Sequence, residues 1–177
     1  MAYYPDGRQE RLLNEGGAPQ WVEAMHMMSY DQGGRHSTWE FAERVAKQGA
    51  ELLPPAKVTH GLPFYGRHVR TGDWKSWEDL VQQHTPAAGV DEAGGYYFNS
   101  AAHIERKTRL AVELGLAGVM IWEVGQDCRL VPVTHGPTTH VRTCPGEGDA
   151  NSLLAAVRRG IEGAGAGKAP PATHDEL

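Results

Sequence analysis

The sequence predicts an α/β fold with parallel strands, in the form of a partial (β/α)8 TIM barrel that holds about the last four strand–helix units. Three observations support this prediction. Segments of strand length recur, and the run over residues 117–127 is short, almost continuously apolar and preceded by a helical pattern, as a buried parallel strand is. Amphipathic helical patterns separate these segments. A complete barrel takes about 250 residues, so the 177 residues suit one domain with half of a barrel.

The first two strands lie in the amino-terminal third of the chain. Residues 2–4 have strand composition but are so few that we interpret them as the end of a strand that begins upstream. Residues 21–31 form the second predicted strand. Alternation puts Met28 and Tyr30 on one of its faces, and Asp31 lies at its carboxyl end, where parallel sheets place their binding chemistry.

The predicted helix boundaries come from capping residues and prolines. Ser37 with Glu40 forms a capping box, and the helix that it starts should stop at Pro54. Ser76 caps a short helix, and Ser100 starts a longer one. The predicted helices cover residues 8–13, 37–54, 77–84, 100–114 and 149–161.

Two further strands and two loops complete the domain. The apolar runs over residues 57–67 and 117–127 are the third and fourth strands. Residues 85–95 and 128–148 are interrupted by Pro and Gly and are predicted loops. The predicted organisation is a single domain over residues 1–162 and a flexible tail over residues 163–177, which is too poor in apolar residues to order itself.

Charge and hydropathy exclude several classes of protein. The formal net charge is -5 and the pI is about 6.0, with lysines and arginines scattered singly, so we expect no nucleic-acid partner. No apolar run approaches the roughly 20 residues of a membrane helix, so we expect no membrane span. No glycine-rich segment follows a strand and opens a helix, as a phosphate-binding loop does, and we expect no cofactor.

The chain ends in His174-Asp175-Glu176-Leu177, which matches the HDEL retrieval signal of endoplasmic reticulum residents. We therefore expect the endoplasmic reticulum lumen or the secretory pathway, with a retrieval receptor as a partner of the tail. Residues 1–7 do not have the pattern of a secretory entry signal. Either the match is accidental or the true amino terminus lies upstream, and we favour the second interpretation.

Trp122 is a candidate binding residue. It lies near the carboxyl end of the fourth predicted strand, and the loops of parallel barrels converge on that end. A large flat indole at this position could serve as a platform for a sugar ring. The alternative is a tryptophan that fills the core of the barrel.

Three motifs, in the order of barrel strands, resemble the carboxyl-terminal half of the family 18 glycoside hydrolases, the chitinases and chitinase-like proteins. Met28-Ser29-Tyr30-Asp31 resembles the Met-x-Tyr-Asp that ends the family's sixth strand. Residues 61–67, Gly-Leu-Pro-Phe-Tyr-Gly-Arg, resemble the end of the seventh strand. Residues 118–123, Gly-Val-Met-Ile-Trp-Glu, resemble the eighth. The resemblance covers roughly residues 2–161.

The resemblance implies an activity and a set of site residues. Family members hydrolyse β-1,4-linked N-acetylglucosamine glycans with retention, and the substrate's own acetamido oxygen attacks the anomeric carbon. By resemblance, Tyr30 would donate its hydroxyl to that oxygen and Asp31 would hold the acetamido group. The structural alternatives are a buried core tyrosine and an aspartate that caps the following turn. The implied substrate-binding residues are Met28, Tyr65, Arg67 and Trp122, with Trp122 as the hydrophobic floor.

One part of the family's pattern is missing. The general acid is the Glu that ends an Asp-x-x-Asp-x-Asp-x-Glu run on the fourth strand, and no such run occurs in these 177 residues. We interpret the chain as part of an active enzyme whose acid lies upstream, and we expect this fragment alone to be inactive. The main alternative is a catalytically inactive, chitinase-like glycan-binding lectin. A structural role in the endoplasmic reticulum is a third hypothesis.

Cys128 and Cys144 are the only cysteines, and they flank the second predicted loop. In an oxidising compartment we expect them to form a disulfide, worth about 3 kcal/mol for a loop of this size. The alternative is a zinc site that adds His135 and His140. We disfavour it because zinc ligands usually come in close C-x2-C pairs, and we expect no metal.

Overall fold

The computed structural model describes residues 1–133 and 140–165. In chain order its strands are β1 (Ala2–Tyr3), β2 (Met25–Met27), β3 (Val58–Pro63), β4 (Tyr65–His68), β5 (Trp74–Ser76), β6 (Glu92–Ala93), β7 (Tyr96–Tyr97), β8 (Gly118–Trp122), β9 (Leu130–Pro132) and β10 (His140–Arg142). The helices are α1 (Gly7–Glu15), α2 (Trp39–Leu52), α3 (Trp77–His84), α4 (Ala101–Glu113) and α5 (Leu153–Gly165).

Four parallel strands form the main sheet, in the spatial order β1-β2-β3-β8. Helix α1 connects β1 to β2, α2 connects β2 to β3, α4 precedes β8, and α5 follows it. Spatial order therefore follows chain order, with a helix between successive parallel strands. The predicted α/β fold with parallel strands is confirmed.

Alternation along the strands separates the two faces of this sheet. Met27 of β2 and Val58 of β3 are fully buried beneath the helices, in a cluster with Val45 of α2. On the opposite face, the Nδ1 atom of His26 lies 2.8 Å from the hydroxyl oxygen of Thr59. One face is thus covered by helices and carries the apolar cluster, whereas the His26–Thr59 pair lies on the other.

A second sheet is inserted between β3 and α4. It is antiparallel, with the order β5-β4-β7-β6. The prediction of a single strand over residues 57–67 is therefore wrong, because the chain leaves the parallel sheet after β3, and Tyr65 and Arg67 belong to β4. Gly66 permits the close approach of β4 to β7, since a Cβ atom at that position would lie 2.9 Å from the Tyr97 carbonyl oxygen.

Part of the predicted loop over residues 85–95 belongs to this antiparallel sheet. Strands β6 and β7 form a hairpin, and its two turn residues are Gly94 (φ 57°) and Gly95 (φ 82°). Both adopt the left-handed conformation that tight two-residue hairpin turns require and that glycine adopts without strain. The glycine pair therefore connects two strands and does not belong to an irregular loop.

A second hydrophobic cluster attaches the antiparallel sheet to the rest of the domain. Phe64, Leu80 and Phe98 come from the inserted segment, and Ile104 and Leu153 come from α4 and α5. All five side chains are almost completely buried. Because the two sheets share this cluster, the insert is an integral part of the domain.

Two predicted boundaries in the amino-terminal half are wrong. The strand over residues 21–31 shortens to β2, and Trp21 is 85% exposed after a 3-10 turn. Thr38, not Ser37, caps α2, because its side-chain oxygen accepts a hydrogen bond from the Phe41 amide at 3.3 Å. Ser37 is instead buried and contacts Lys107. The predicted caps of α3 and α4 are confirmed, and they are Ser76 and Ser100.

Helix α5 starts four residues later than the predicted start at residue 149. The buried Asp127 carboxylate accepts hydrogen bonds from the amides of Leu153 at 2.8 Å and Leu154 at 3.0 Å, and so satisfies the helix N-terminus. The helix extends to Gly165, past the predicted domain end at residue 162. The remaining tail, with the tetrapeptide at residues 174–177, lies outside the described residues.

The predicted irregular loop over residues 128–148 contains the antiparallel pair β9–β10. Cys128 and Cys144 form a disulfide bond, with Cα atoms 5.5 Å apart. His135 of the alternative zinc site lies outside the described residues. Within residues 1–133 and 140–165, no group of three or more His, Cys, Asp or Glu side chains could hold a metal ion. No helix in these ranges is long and apolar enough to cross a membrane.

Candidate functional site

A cleft of about 380 Å³ lies between the carboxyl ends of the parallel strands and the antiparallel sheet. Its lining residues are Asp31, Tyr65, Arg67, Trp74, Trp122, Glu123 and Gln126. Asp31 follows β2 and Trp122 ends β8, whereas the side chains from β4 and β5 come from the insert. Both sheets therefore contribute to the same cleft.

Asp31 is the polar centre of this cleft. Its backbone has a left-handed φ of 67°, which aspartate tolerates better than most residues. The Tyr65 hydroxyl donates to Asp31 Oδ1 at 2.7 Å, and the Arg67 guanidinium donates to the same oxygen at 3.0 Å. The Nδ1 atom of buried His36 lies 3.7 Å from it. All three contacts meet Oδ1, so Oδ2 is the oxygen available to a ligand.

These neighbours hold Asp31 in its charged form. Interaction with His36, together with the Tyr65 and Arg67 hydrogen bonds, lowers the pKa of Asp31 to about 2, although partial burial acts in the opposite direction. Burial, reinforced by the Asp31 charge, raises the pKa of Tyr65 well above its ordinary value. At neutral pH the pair is thus a neutral phenol that donates to a carboxylate.

Tyr30 lies beside this cluster but does not line the cleft. Its side chain is 4% exposed, and its hydroxyl donates to the Met120 sulfur at 3.8 Å. Burial, followed by the Asp31 charge, raises the pKa of Tyr30 to about 12. Met120 and Trp122 share one face of β8 because they are two residues apart. The Tyr30 hydroxyl is therefore on the face of the sheet that carries Trp122, bonded to a weak acceptor that a better one could replace.

Trp122 presents a half-exposed indole at the end of β8. The side chain is 56% exposed. Its backbone carbonyl accepts a hydrogen bond from the Phe64 amide at 2.8 Å, which ties the end of β8 to the start of the insert. The peptide bond between Trp122 and Glu123 is cis. The indole is therefore accessible in this chain, and its role as a platform for a sugar ring stays a prediction.

Trp74 is a cleft residue that the sequence analysis missed. It pairs with Arg67 across β4 and β5, and its indole is 63% exposed in the cleft that Trp122 also lines. No motif marks this tryptophan, and strand β5 has only three residues. Exposure of two large aromatic side chains in one cleft is typical of a binding surface.

Of the sequence-predicted site residues, the structure brings four into the cleft and leaves two outside it. Asp31, Tyr65, Arg67 and Trp122 line it. Tyr30 contacts its edge through Tyr65, with ring centroids 6.1 Å apart. Met28 is half-buried after β2, and its amide donates to the Tyr3 carbonyl at 2.9 Å. A substrate contact of Met28 therefore stays a prediction.

The family model of glycosyl hydrolases family 18 matches residues 14–127. This range contains the Asp31 cluster, the inserted sheet and β8. The chain belongs to this family. A comparison with curated proteins found no match.

Two solved structures with a similar fold are bacterial chitinases. The GH18 chitinase ChiB from the chitin utilization locus of Flavobacterium johnsoniae is 26% identical, with a TM-score of 0.62 over 81% of this chain and 44% of that chain. A chitinase from Bacteroides thetaiotaomicron is 21% identical, with a TM-score of 0.67 over 93% of this chain and 52% of that chain. The chain thus spans about half the length of these two enzymes.

Proposed function

We propose that this chain is the carboxyl-terminal part of a family 18 chitinase barrel and that its cleft binds β-1,4-linked N-acetylglucosamine oligosaccharides. The observation that carries the proposal is the placement of a charged Asp31, held by Tyr65 and Arg67, in the same cleft as the exposed indoles of Trp74 and Trp122. A chitinase domain of Ostrinia furnacalis with this fold was solved in complex with penta-N-acetylchitooctaose, at 14% identity and a TM-score of 0.50.

Sheet topology supports the partial barrel. Strands β1 and β8 are the two edges of the parallel sheet, and each has one hydrogen-bonded neighbour in it. An eight-stranded barrel has no free edge, so four more parallel strands between β8 and β1 would close it. Such strands would extend the cleft across the face of the sheet that the helices do not cover.

The two indoles suit a pyranose ring. A sugar has apolar C–H faces and a polar rim, and an exposed indole matches those faces while leaving the hydroxyl groups free to bind water or polar side chains. Trp122 comes from the parallel sheet and Trp74 from the insert. A glycan in the cleft would therefore contact both sheets.

The polar cluster suits the acetamido group of such a sugar. Substrate-assisted hydrolysis makes a positively charged oxazolinium from the acetamido oxygen and the anomeric carbon, and family 18 is a recognised exception to the two-carboxylate scheme. Asp31 would accept a hydrogen bond from the acetamido N–H group and would stabilise the developing positive charge, because its low pKa keeps it anionic. Tyr30 would exchange its weak Met120 contact for the acetamido oxygen.

Hydrolysis requires a general acid in addition to this cradle. No Asp-x-x-Asp-x-Asp-x-Glu run occurs in the 177 residues, and this observation also favours the second candidate function, a glycan-binding lectin. We infer that the protein is an enzyme whose general acid belongs to the rest of the barrel. The two are separated by the in-frame genomic sequence upstream of Met1, where an intact run supports the enzyme and a replaced Glu supports the lectin.

Calorimetric titration of the 177-residue chain with chitotetraose tests the binding proposal. We expect binding by the wild type and a loss of about 30-fold or more in Trp122→Ala, because truncation of a central aromatic residue usually costs about 2 kcal/mol or more. Trp122→Phe should keep part of the affinity. Equal affinities of wild type and Trp122→Ala would overturn the proposal.

A further inference from the structure

The loop that carries Tyr30 and Asp31 is closed at its base by two buried serines. The Ser37 hydroxyl lies within hydrogen-bond distance of two acceptors, the carbonyl oxygen of Ser29 at 3.2 Å and Asn99 Oδ1 at 3.3 Å, and so can donate to either. Both serines are completely buried. The contact between Ser29 and Ser37 therefore joins the two ends of the loop that carries Asp31.

A buried lysine of α4 holds Ser37 from the other side. The Nζ atom of Lys107 lies 2.8 Å from three acceptors, which are the Ser37 carbonyl oxygen, the Ser37 hydroxyl oxygen and Asn99 Oδ1. The Asn99 amide also donates to the Ser37 carbonyl at 2.9 Å. We call the contacts of Ser37 with Ser29, Asn99 and Lys107 the Ser37 latch. Lys107 itself is fully buried.

The protonation state of Lys107 determines whether the Ser37 latch can be complete. An ammonium has three N–H donors, one for each of the three acceptors. A neutral amine has two donors and one lone pair. It must either give up one acceptor or accept a hydrogen bond from the Ser37 hydroxyl, which then no longer donates to the Ser29 carbonyl.

Lys107 is also the group around the latch that titrates near neutral pH. Burial lowers the pKa of Lys107 to about 7, against the charges of Asp91 and Glu40, which raise it. Burial lowers the pKa of each surrounding histidine, so these rings are neutral near pH 7. The titratable groups that face Lys107 are His36 of the loop, His60 of β3, His103 of α4, Asp91 before β6 and Glu40 of α2.

We propose that Lys107 is a positioning residue of the cleft: its ammonium form closes the Ser37 latch and holds the loop of Tyr30 and Asp31, and its neutral form releases the latch. Its consequence for sugar binding rests on the proposed function. Affinity for an N-acetylglucosamine oligosaccharide then falls above neutral pH, because the released loop no longer presents Asp31 in one position.

Closure of the Ser37 latch and the stability of the whole fold respond to pH in opposite directions. The pKa of Lys107 is about 7 in the fold and 10.5 ordinarily, so its contribution to folding stability is present above pH 10.5 and is lost as pH falls through 7. The latch instead needs the proton, so the loop loosens as pH rises through 7. A lysine with a purely structural role would not produce these two opposite responses.

Hydrogen exchange of the 177-residue chain, followed by mass spectrometry and corrected for intrinsic rates, tests the proposal. The reporter is the peptide that spans residues 29–37, in which the Gln32 amide donates to the His36 carbonyl at 3.1 Å. We expect its protection to be about fivefold lower at about pH 9 than at about pH 6, the ratio that one lost hydrogen bond of ordinary strength gives. We call this difference in protection between the two pH values the exchange step. Lys107→Met should abolish it.

Thr108→Val is the matched control, because Thr108 is fully buried on the same helix and its hydroxyl bonds to the Ile104 carbonyl of α4. It should keep the wild-type step. If Lys107→Met does not fold, Ser37→Ala removes the latch hydroxyl with little change in volume and should also abolish the step. A step that persists in Lys107→Met or Ser37→Ala, or is absent from the wild type, overturns the proposal.

Chitotetraose titrations at the same two pH values separate this inference from the proposed function. We expect the wild type to bind about fivefold more weakly at about pH 9, and Lys107→Met to show no such change. A normal exchange step without sugar binding at either pH would overturn the proposed function and support the latch. Sugar binding without an exchange step would overturn the latch alone.

Discussion

The parallel and antiparallel sheets contribute different parts of the cleft. The parallel sheet supplies a charge and an indole at its strand ends, Asp31 and Trp122, whereas the insert supplies the two donors to that charge and a second indole. Without those donors Asp31 would lose two of the interactions that lower its pKa and would keep the one with His36. The difference indicates that the site depends on how the two sheets dock, and the predictions below test that dependence.

The largest effect is expected from the residue that joins the sheets. Phe64 is completely buried, its amide donates to the Trp122 carbonyl, and its carbonyl accepts from the Trp77 amide. We expect Phe64→Ala to lower the free energy of unfolding by about 3–5 kcal/mol through the cavity that it leaves. Urea unfolding measures this, with exposed Leu12→Ala as a control near zero. A loss below about 1 kcal/mol would mean that the sheets are joined elsewhere.

The disulfide should matter for stability without affecting the cleft. Cys128 and Cys144 close a loop with a sequence separation of 16, and their double replacement by Ser should cost about 3 kcal/mol. The chitotetraose affinity of the folded variant should equal that of the wild type, since the bond touches none of the Asp31 donors. Thermal unfolding and calorimetric titration measure the two quantities. A loss of affinity in the folded variant would make the β9–β10 hairpin part of the site.

The insert's indole should contribute to binding. We expect Trp74→Ala to weaken chitotetraose binding by about tenfold, the effect of truncating an interface aromatic residue that is not central. Trp21→Ala is the matched control, since it removes an indole that is 85% exposed and does not line the cleft. Loss in Trp122→Ala but not in Trp74→Ala would show that the parallel sheet alone supplies the aromatic surface.

The smallest effect is the charge of Asp31 on stability. Asn also tolerates the left-handed conformation, so Asp31→Asn removes the charge without adding backbone strain. The pKa of Asp31 is about 2 in the fold and 3.8 ordinarily, so its contribution is present above pH 3.8 and is lost as pH falls through 2. We expect the free energy of unfolding of the wild type to exceed that of Asp31→Asn by about 1 kcal/mol near neutral pH, discounted for exposure, and the difference to vanish well below pH 2. A difference that is independent of pH would contradict the ion pair.

The parallel sheet and its helices were predictable because their signals are local. Amphipathic spacing marks α4 and α5, and the hydroxyls of Ser76 and Ser100 mark helix starts whatever the rest of the chain does. The order of strands and helices then gives a parallel sheet, because parallel neighbours need a crossover helix. The carboxyl ends of the strands, and with them Asp31 and Trp122, follow from that order.

The antiparallel sheet was not predictable at the same level because its strands are too short to alternate. Strands β6 and β7 have two residues each, and the usable signal was the Gly94-Gly95 pair, which is typical of a two-residue hairpin turn. Trp74 lies on the three-residue strand β5, which pairs with β4 and has no turn signal of this kind. The choice between Ser37 and Thr38 as the helix cap depends on Lys107, which is 70 positions away in the sequence.

Membership of family 18 was predictable because three motifs lie at or directly after the carboxyl ends of the neighbouring parallel strands β2, β3 and β8. The disulfide was expected and is present in the structure. Retrieval to the endoplasmic reticulum stays a prediction, as does the substrate contact of Met28. The buried environment of Lys107 has no local signal at all, because a lysine on an amphipathic helix ordinarily reaches solvent.

The central claim is that both sheets together recognise an acetylated amino sugar. Calorimetric comparison of chitotetraose with cellotetraose, which has the same linkage and no acetamido group, tests it most directly. We predict that chitotetraose binds at least about 100-fold more tightly, because Asp31 and Tyr30 would each lose an acetamido partner in cellotetraose. Equal affinity for the two oligosaccharides, or tighter binding of cellotetraose, would contradict the account.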